Sequence, residues 1–399
     1  MDATVIRNEA AGMKPWLVDV RRKLHMTPEP GRAENATADL ISGWLDGLGI
    51  PHRRNGTAVV GLIEGGGPGS TVALRADIDA LPIREENEVP YRSRNEGMMH
   101  ACGHDAHMAI LLGAARLLTA HRDAWRGGVK LLFQPDEEGN GGAEGMIADG
   151  CLENPRVDRV LGIHVMPYLP AGTIEVKKGV LNGSSTTLRI TVRGKGAHGA
   201  YPHLGIDAIF IAAQVVTALH GLVGRYVSPD EQAVITIGTI AGGQRANIIA
   251  DEVKMTATMR TTNDAVRDCL AARARALVEG IPAAYGGTGI CAVTYGYESL
   301  VNHDAVVDAV VETAGELLGK EAVHWKEKAS LGVEDFSCFL KERPGAFYHI
   351  GCGSAAKGLS GALHNSRFDI DEDCLVTGVA MQAGVTLRLL ATIAMGGTK

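Results

Sequence analysis

What the sequence lacks narrows its function before any motif is read. It has no long basic run, and 46 acidic against 39 basic side chains give a formal charge of −7. That balance argues against a nucleic-acid or anionic-membrane partner. The seven cysteines (Cys102, Cys151, Cys269, Cys291, Cys338, Cys352, Cys374) form no Cys-x-x-Cys pair and are odd in number, so a disulfide framework is not expected. Six of them read as small buried hydrophobes, and Cys102 is set apart by its neighbours. The opening residues MDATVIRNEAAGMKPW show no signal-peptide pattern, and no apolar run reads as long enough to span a bilayer. A cytoplasmic chain with no membrane partner is expected. Aromatic residues make up only 5%, so a core of Ala, Val, Leu and Ile, punctuated by 51 glycines, points to a turn-rich α/β protein. At 399 residues, two domains are expected.

What is present is concentrated at the ends of short apolar runs. TVALRADIDALP ends in Asp77 and Asp79, GVKLLFQPDEEG in Glu137 and Glu138, and RVLGIHV in His164. Between the first two lies HACGHDAHMAILLGAARLL (100–118), a cysteine and three histidines running into an apolar helix for which Asp105 is the expected N-cap. Strand, loop, helix and strand imply a largely parallel sheet flanked by helices, with ligands at the carboxyl ends of its strands. Residues 184–296 read differently, as βαββαβ, the order of a ferredoxin-like sandwich. The expected organisation is thus a catalytic domain formed by 1–183 and 297–399, and an inserted domain at 184–296.

The donor types point to a metal. Cys102 and His104, on one side of an extended loop, can aim at one ion. Thiolate with imidazole suits a Zn-like ion, and carboxylates from Glu138 and Asp77 widen the choice to Mn or Co. His164 and His364 complete the set, while Asp79 reads as a carboxylate that orients a ligand histidine. If DEE is extended, Glu137 and Glu138 face opposite ways, so Glu138 can ligate while Glu137 acts as general base on water. The bland reading, a solvated turn, leaves unexplained why DEE sits between VKLLFQP and GNGGAEG.

Together, HACGHDAH, LRADIDALP, QPDEEGNGGAEGMI, GIHVMPYLPAG, GKGAHGAYPHLGID, RANIIADEV and LHNSRFDIDE resemble the M20 family of metallopeptidases and amidohydrolases, specifically its amidohydrolase branch. The resemblance spans nearly the whole chain in order. It implies two divalent ions (Zn, Mn or Co) held by Cys102, His104, Glu138, His164 and His364, with Glu137 as base. It also implies a lid at 184–296 through which the chain forms a homodimer or a dimer of dimers. The activity implied is hydrolysis of the amide bond of N-acyl-L-amino acids. The alternatives are a dipeptidase, a carboxypeptidase or an aminobenzoyl-glutamate-type hydrolase.

In the lid, the resemblance suggests that His198 reaches the partner subunit's site to stabilise an oxyanion. His203 is a candidate for the pocket wall, and Arg260 with Asn247 for a substrate carboxylate. The chain departs from the family pattern at Thr27, where relatives carry a histidine, and at Asp136, where alanine is common. Asp136 adds charge beside Glu137, with a raised base pKa or an altered substrate preference as the expected consequence. Other classes fit less well. A zinc deaminase needs a Pro-Cys-x-x-Cys that is absent, and GCGSAA (351–356) is not followed by an apolar-periodic helix as a dinucleotide fingerprint would be.

Overall fold

The computed structural model describes residues 1–396, which divide into two compact units. Unit 1 comprises residues 1–179, 301–327 and the chain from 338 onward, and unit 2 comprises 180–300 and 328–337. Ser330 bonds back to Leu181 and Gly183, which ties the 328–337 segment to unit 2.

Unit 1 begins with α1 (Ala3–Gly12), α2 (Lys14–His25) and α3 (Asn35–Gly47), then β1 (His52–Asn55), β2 (Ala58–Glu64) and β3 (Thr71–Asp77). It continues with α4 (His104–Ala120), β4 (Gly128–Gln134), α5 (Ala143–Ala148), β5 (Arg159–Pro170) and β6 (Ile174–Val176). After β7 (Gly179–Asn182), unit 2 contains β8 (Ser184–Arg193), α6 (Ala208–Tyr226), β9 (Ala233–Gly242), β10 (Glu252–Thr261), α7 (Asp264–Ala284) and β11 (Thr288–Tyr295). The chain returns through β12 (Leu300–Asn302), α8 (Asp304–Leu317), β13 (Val323–Trp325), α9 (Phe336–Glu342), β14 (Gly345–Gly353) and α10 (Asp373–Gly396).

The eight-stranded sheet has the order β1-β2-β4-β3-β5-β14-β6-β13, and its central strands β4, β3, β5 and β14 run parallel. β2 and β6 are antiparallel to that core. Every residue of β3, β4 and β14 is buried, because central parallel strands are covered on both faces. Charged side chains inside these strands are buried only with partners, as Arg75 is with Asp77 and Gln134, and further acidic residues follow the strand ends, which places the chemistry at the carboxyl rim. Unit 2 is the βαββαβ sandwich, with sheet order β11-β8-β10-β9 and all pairs antiparallel. Its β10 alternates as expected, burying Val253, Met255, Ala257 and Met259.

α4 is buried along nearly its whole length. Gly113 lets it approach α2 and α10: a Cβ there would lie 2.5 Å from Val379 Cγ2 and 2.6 Å from Leu17 Cδ2. Asp105 is not the N-cap. Gly103 holds that position in a left-handed conformation without a side-chain cap, and Asp105 sits inside the first turn, fully buried. There it accepts from Arg21 Nε (2.7 Å) and His25 Nδ1 (2.8 Å), both on α2. Arg21 also donates to Asp369 Oδ1 at 2.9 Å, and His25 Nε2 lies 3.2 Å from Glu85. Burial opposes charge on Asp105, yet Arg21 and His25 hold it well below the ordinary carboxylate range.

Two further expectations need correction. α6 and α10 are both long and apolar enough, by length and composition, to cross a bilayer. α10 is mostly buried within the protein, whereas α6 buries only one face. Cys269 is exposed and Cys338 half-buried, so four of the six remaining cysteines, not all, are buried hydrophobes.

Arg21→Ala would strand Asp105 without its guanidinium, and a loss of about 3–5 kcal/mol is expected in urea unfolding. Because the folded Asp105 value is depressed, its contribution is present at neutral pH and fades as the pH falls below about 4. The wild type is therefore expected to lose stability in that window more steeply than the variant. An unchanged urea midpoint for Arg21→Ala would show that the network does not stabilise the fold.

Candidate metal centre

The candidate donors come from four segments of unit 1. Gly103, at φ 86°, turns the chain so that Cys102 precedes and His104 opens α4. The two converge through this left-handed turn, not through the extended loop expected from sequence. A Cβ on Gly103 would meet Val165 Cγ2 at 2.4 Å. β5 delivers His164, and His364, itself at φ 62°, is tied beside the cysteine by its N–H donating to Ala101 O (2.8 Å). Cys102 Sγ lies 3.3 Å from both His164 Nε2 and His364 Nε2. His364 Nε2 is in turn 2.9 Å from Glu138 Oε1.

Hydrogen bonds behind the histidines fix which nitrogen faces the centre. His104 Nδ1 is 2.9 Å from Asp79 O and 3.1 Å from Asp79 Oδ1, leaving Nε2 buried, 3.6 Å from Asp77 Oδ2 and without a hydrogen-bond partner among the described residues. His164 Nδ1 donates to Val165 O at 2.8 Å, leaving Nε2 toward Cys102. The other oxygen of Asp79 accepts the Glu138 N–H at 3.0 Å. One carboxylate thus orients a histidine and anchors the acidic turn. Asp77 is not an open donor, because Oδ1 accepts from His107 Nδ1 (2.6 Å) and Oδ2 from Arg75 Nη1 (2.7 Å).

The segment DEE is a turn and not a strand: Asp136 takes φ 57° and residues 137–140 follow in turn conformation. It is not a solvated turn either, since Asp136 is buried and Glu137 and Glu138 are half-buried. The charge that Asp136 brings beside Glu137 is matched by Arg32, whose Nε donates to Oδ2 at 2.6 Å. Thr27, the second departure, is half-buried and donates to Lys23 O (3.3 Å).

Burial pushes the Cys102 thiol up and the His164 imidazole well down. Burial also opposes charge on His104, but Asp77 and Asp79 hold it well above its ordinary value. Two donor groups share the cysteine: Cys102, His104 and His164, and Cys102, Glu138 and His364, each with its ligand atoms within 4.8 Å of one another. His104, Glu137 and Glu138 form a third such group. Thiol, imidazole and carboxylate around an orphaned, buried His104 Nε2 fit divalent transition ions.

In unit 2, His198 Nδ1 accepts the Ala200 N–H at 3.1 Å, so Nε2 carries the proton and can donate. Gly199 donates to Asn247 O (2.8 Å), which brings the His198 loop against Asn247. His203 is exposed in the same loop, with Tyr201 between it and His198. Arg260 is elsewhere. It pairs with Ser185 at one end of β10, while Glu252, beside the Asn247 loop, pairs with Arg193 at the other. Eight strand residues separate these ends, roughly 26 Å, so the sequence proximity of Arg260 and Asn247 does not bring them together. Arg260 is half-buried, donates to Thr258 Oγ1 and Met259 O, and has no carboxylate partner among the described residues.

The sequence reading passed over His107, whose Nε2 accepts the Val165 N–H at 2.9 Å while Nδ1 donates to Asp77. Its spacing of three from His104 on a helix was the available signal. The Arg21–His25 pair, four apart on α2, carried the same kind of signal.

A parallel-centred sheet with an inserted ferredoxin-like unit and a Cys/His/Glu centre defines a hydrolase class whose members bind metal. The chain belongs to peptidase family M20/M25/M40, whose model matches residues 73–388. It is 38% identical over 391 residues to thermostable carboxypeptidase 2 of Saccharolobus solfataricus, covering 96% of this chain and 98% of that protein. It is also 38% identical over 366 residues to N-acetyl-L-cysteine deacetylase of Bacillus subtilis, covering 91% and 86%. The crystal structure of a dinuclear metal-binding M20 peptidase from Bacillus subtilis is 32% identical, with a TM-score of 0.84 over 96% of this chain and 99% of that one. The chain is accordingly an amide-bond hydrolase.

Gly103→Ala combines a disfavoured φ with a clash against Val165, so Cys102 and His104 would shift relative to His164. Metal affinity is expected to fall about 10–100-fold in a chelator competition. Unchanged affinity would mean that this turn does not set the donor geometry.

Proposed function

We propose that this hydrolase cleaves the amide bond of N-acyl-L-amino acids, with Glu137 as general base. The observation that carries the reading is the cluster of His104, Glu137 and Glu138, in which a carboxylate with ligand geometry is followed back along the chain by a second carboxylate at the same centre. Two divalent cations (Zn, Mn or Co) on Cys102, His104, Glu138, His164 and His364 would supply Lewis acidity, lowering the pKa of water and polarising the amide carbonyl. Glu137 takes a proton from the attacking water and delivers it to the leaving amine nitrogen. Asp79 keeps His104 in one tautomer and Glu138 in place.

Substrate recognition falls to unit 2, acting as a lid. Arg260, half-buried and without an acidic partner among the described residues, offers charge-assisted bonds to a free α-carboxylate. His198, with its proton on Nε2, would donate to the developing oxyanion, with Asn247 beside it and His203 on the pocket wall. His198 and Asn247 lie at the opposite end of β10 from Arg260, so one small substrate cannot readily meet both sets from a single chain. This supports a homodimer, or a dimer of dimers, in which His198 and Asn247 serve the partner subunit's site. Exposed Ile209 and Phe210 on α6 give unit 2 an apolar face suited to that assembly.

A carboxypeptidase reading uses the same centre and the same carboxylate contact, and two relatives carry that name. Turnover over a panel of N-acyl amino acids and dipeptides separates the two.

Glu137→Gln is expected to retain metal and substrate affinity while kcat falls about 10²–10⁴-fold. Glu138→Gln should instead lose metal. Identical metal content and identical turnover in the two variants would refute the division of roles.

Masking the α-carboxylate of the substrate as an amide should cost about 1.5–3 kcal/mol of recognition, and Arg260→Ala should erase most of that preference. Equal kcat/KM for the free acid and the masked substrate in the wild type would point to a general amidase.

A further inference from the structure

The departure at Asp136 has a structural partner that the donor cluster does not use. Asp136 and Arg32 both adopt left-handed backbone conformations, at φ 57° and 65°, in two segments 104 residues apart, and they meet through the Arg32 Nε–Asp136 Oδ2 bond. Neither is a glycine, so each conformation is held at a cost by its surroundings. The Asp136 carboxylate fits between two glycines. A Cβ built on Gly31 or on Gly139 would lie 2.1 Å from its Oδ1, so no other residue at either position leaves room for it. The Asp136 N–H donates to Glu34 Oε1 (2.9 Å), and Glu34 Oε2 accepts from Thr57 Oγ1 (2.8 Å). Gly141 N–H closes the turn onto Asp136 O at 3.0 Å.

The segment that grips Asp136 also grips the strand end that carries Asp79. Ala80 N–H donates to Glu29 O at 2.8 Å, and Pro30 bridges Ala80. Residues 29–34 therefore hold both supports of the acidic turn: Asp79, which receives the Glu138 N–H, and Asp136, which begins the turn.

We propose that Asp136 is a positioning residue for amide hydrolysis: paired with Arg32 and seated between Gly31 and Gly139, it clamps the turn so that Glu137 and Glu138 stand at the metal centre. The clamp acts through these two glutamates and rests on the roles proposed for them above. Asp136 itself belongs to none of the donor groups found among the described residues.

The test uses Arg32→Ala, Arg32→Lys, Asp136→Asn and the double variant Arg32→Ala/Asp136→Asn, with metal saturating and an N-acyl amino acid as substrate. Arg32 is largely exposed and asparagine tolerates the left-handed conformation, so folded protein is expected, verified by circular dichroism. Each of Arg32→Ala and Asp136→Asn should lower kcat about tenfold with KM within about twofold. The double variant should be no slower than the worse single, and Arg32→Lys should recover most of the loss. Unchanged kcat in both single variants, losses that multiply in the double, or a raised KM with kcat intact would each overturn the clamp. Glu137→Gln, run in parallel, separates the two readings. If it stays active, the base assignment fails. If it is inactive while the clamp variants match the wild type, only the clamp fails.

Discussion

The carboxylate of Asp79 is the contact on which the centre depends. It lies just beyond β3 and is itself buried, a position a carboxylate can hold because both of its oxygens have partners. One oxygen faces His104 Nδ1 and the other accepts the Glu138 N–H, so a single group fixes the helix start and the acidic turn relative to each other. The Asp79 carbonyl also faces His104 Nδ1, at 2.9 Å, so the residue holds the imidazole twice, and without its carboxylate the turn after β4 would lose its tie to the neighbouring strand end. Loss of a backing interaction of this kind typically costs about 10–100-fold in metal affinity or activity.

Around that contact the protein uses buried charge to hold backbone in place. Arg21 and His25 on α2 meet Asp105 in the first turn of α4, which anchors the helix whose first residue is a donor. Asp77 and His107 do the same for β5: His107 accepts the Val165 N–H next to His164 and so must be neutral on that nitrogen. Arg32 and Asp136 repeat the device at the acidic turn. In each case an ion pair or charged hydrogen bond connects segments remote in sequence, and the donor side chain is the immediate neighbour or lies within a few residues of the anchored one.

How far the sequence reveals this follows from where the determinants lie. The strands of unit 1 and their polar ends are legible because buried parallel strands are largely apolar runs, and a sudden Asp-x-Asp or Glu-Glu marks where the strand ends. The βαββαβ unit is legible because β10 alternates cleanly. Backbone conformation is not. The left-handed turns at Gly103 and Asp136 replace the extended geometry expected for Cys102–His104 and for Glu137–Glu138, and only the surrounding contacts enforce them. Asp105 looked like a cap because its partners, Arg21 and His25, lie some 80 residues earlier. Arg260 and Asn247 looked like neighbours because thirteen residues separate them, yet those residues include a strand that carries them to opposite ends of a sheet.

The most direct test of a dinuclear centre built on Cys102 is a cobalt(II) titration of the metal-free protein followed by absorption spectroscopy. Two equivalents per chain should bind, with a thiolate-to-cobalt charge-transfer band that is absent from Cys102→Ser. Saturation at one equivalent, or a wild-type spectrum without that band, would contradict a two-ion centre with Cys102 among its ligands.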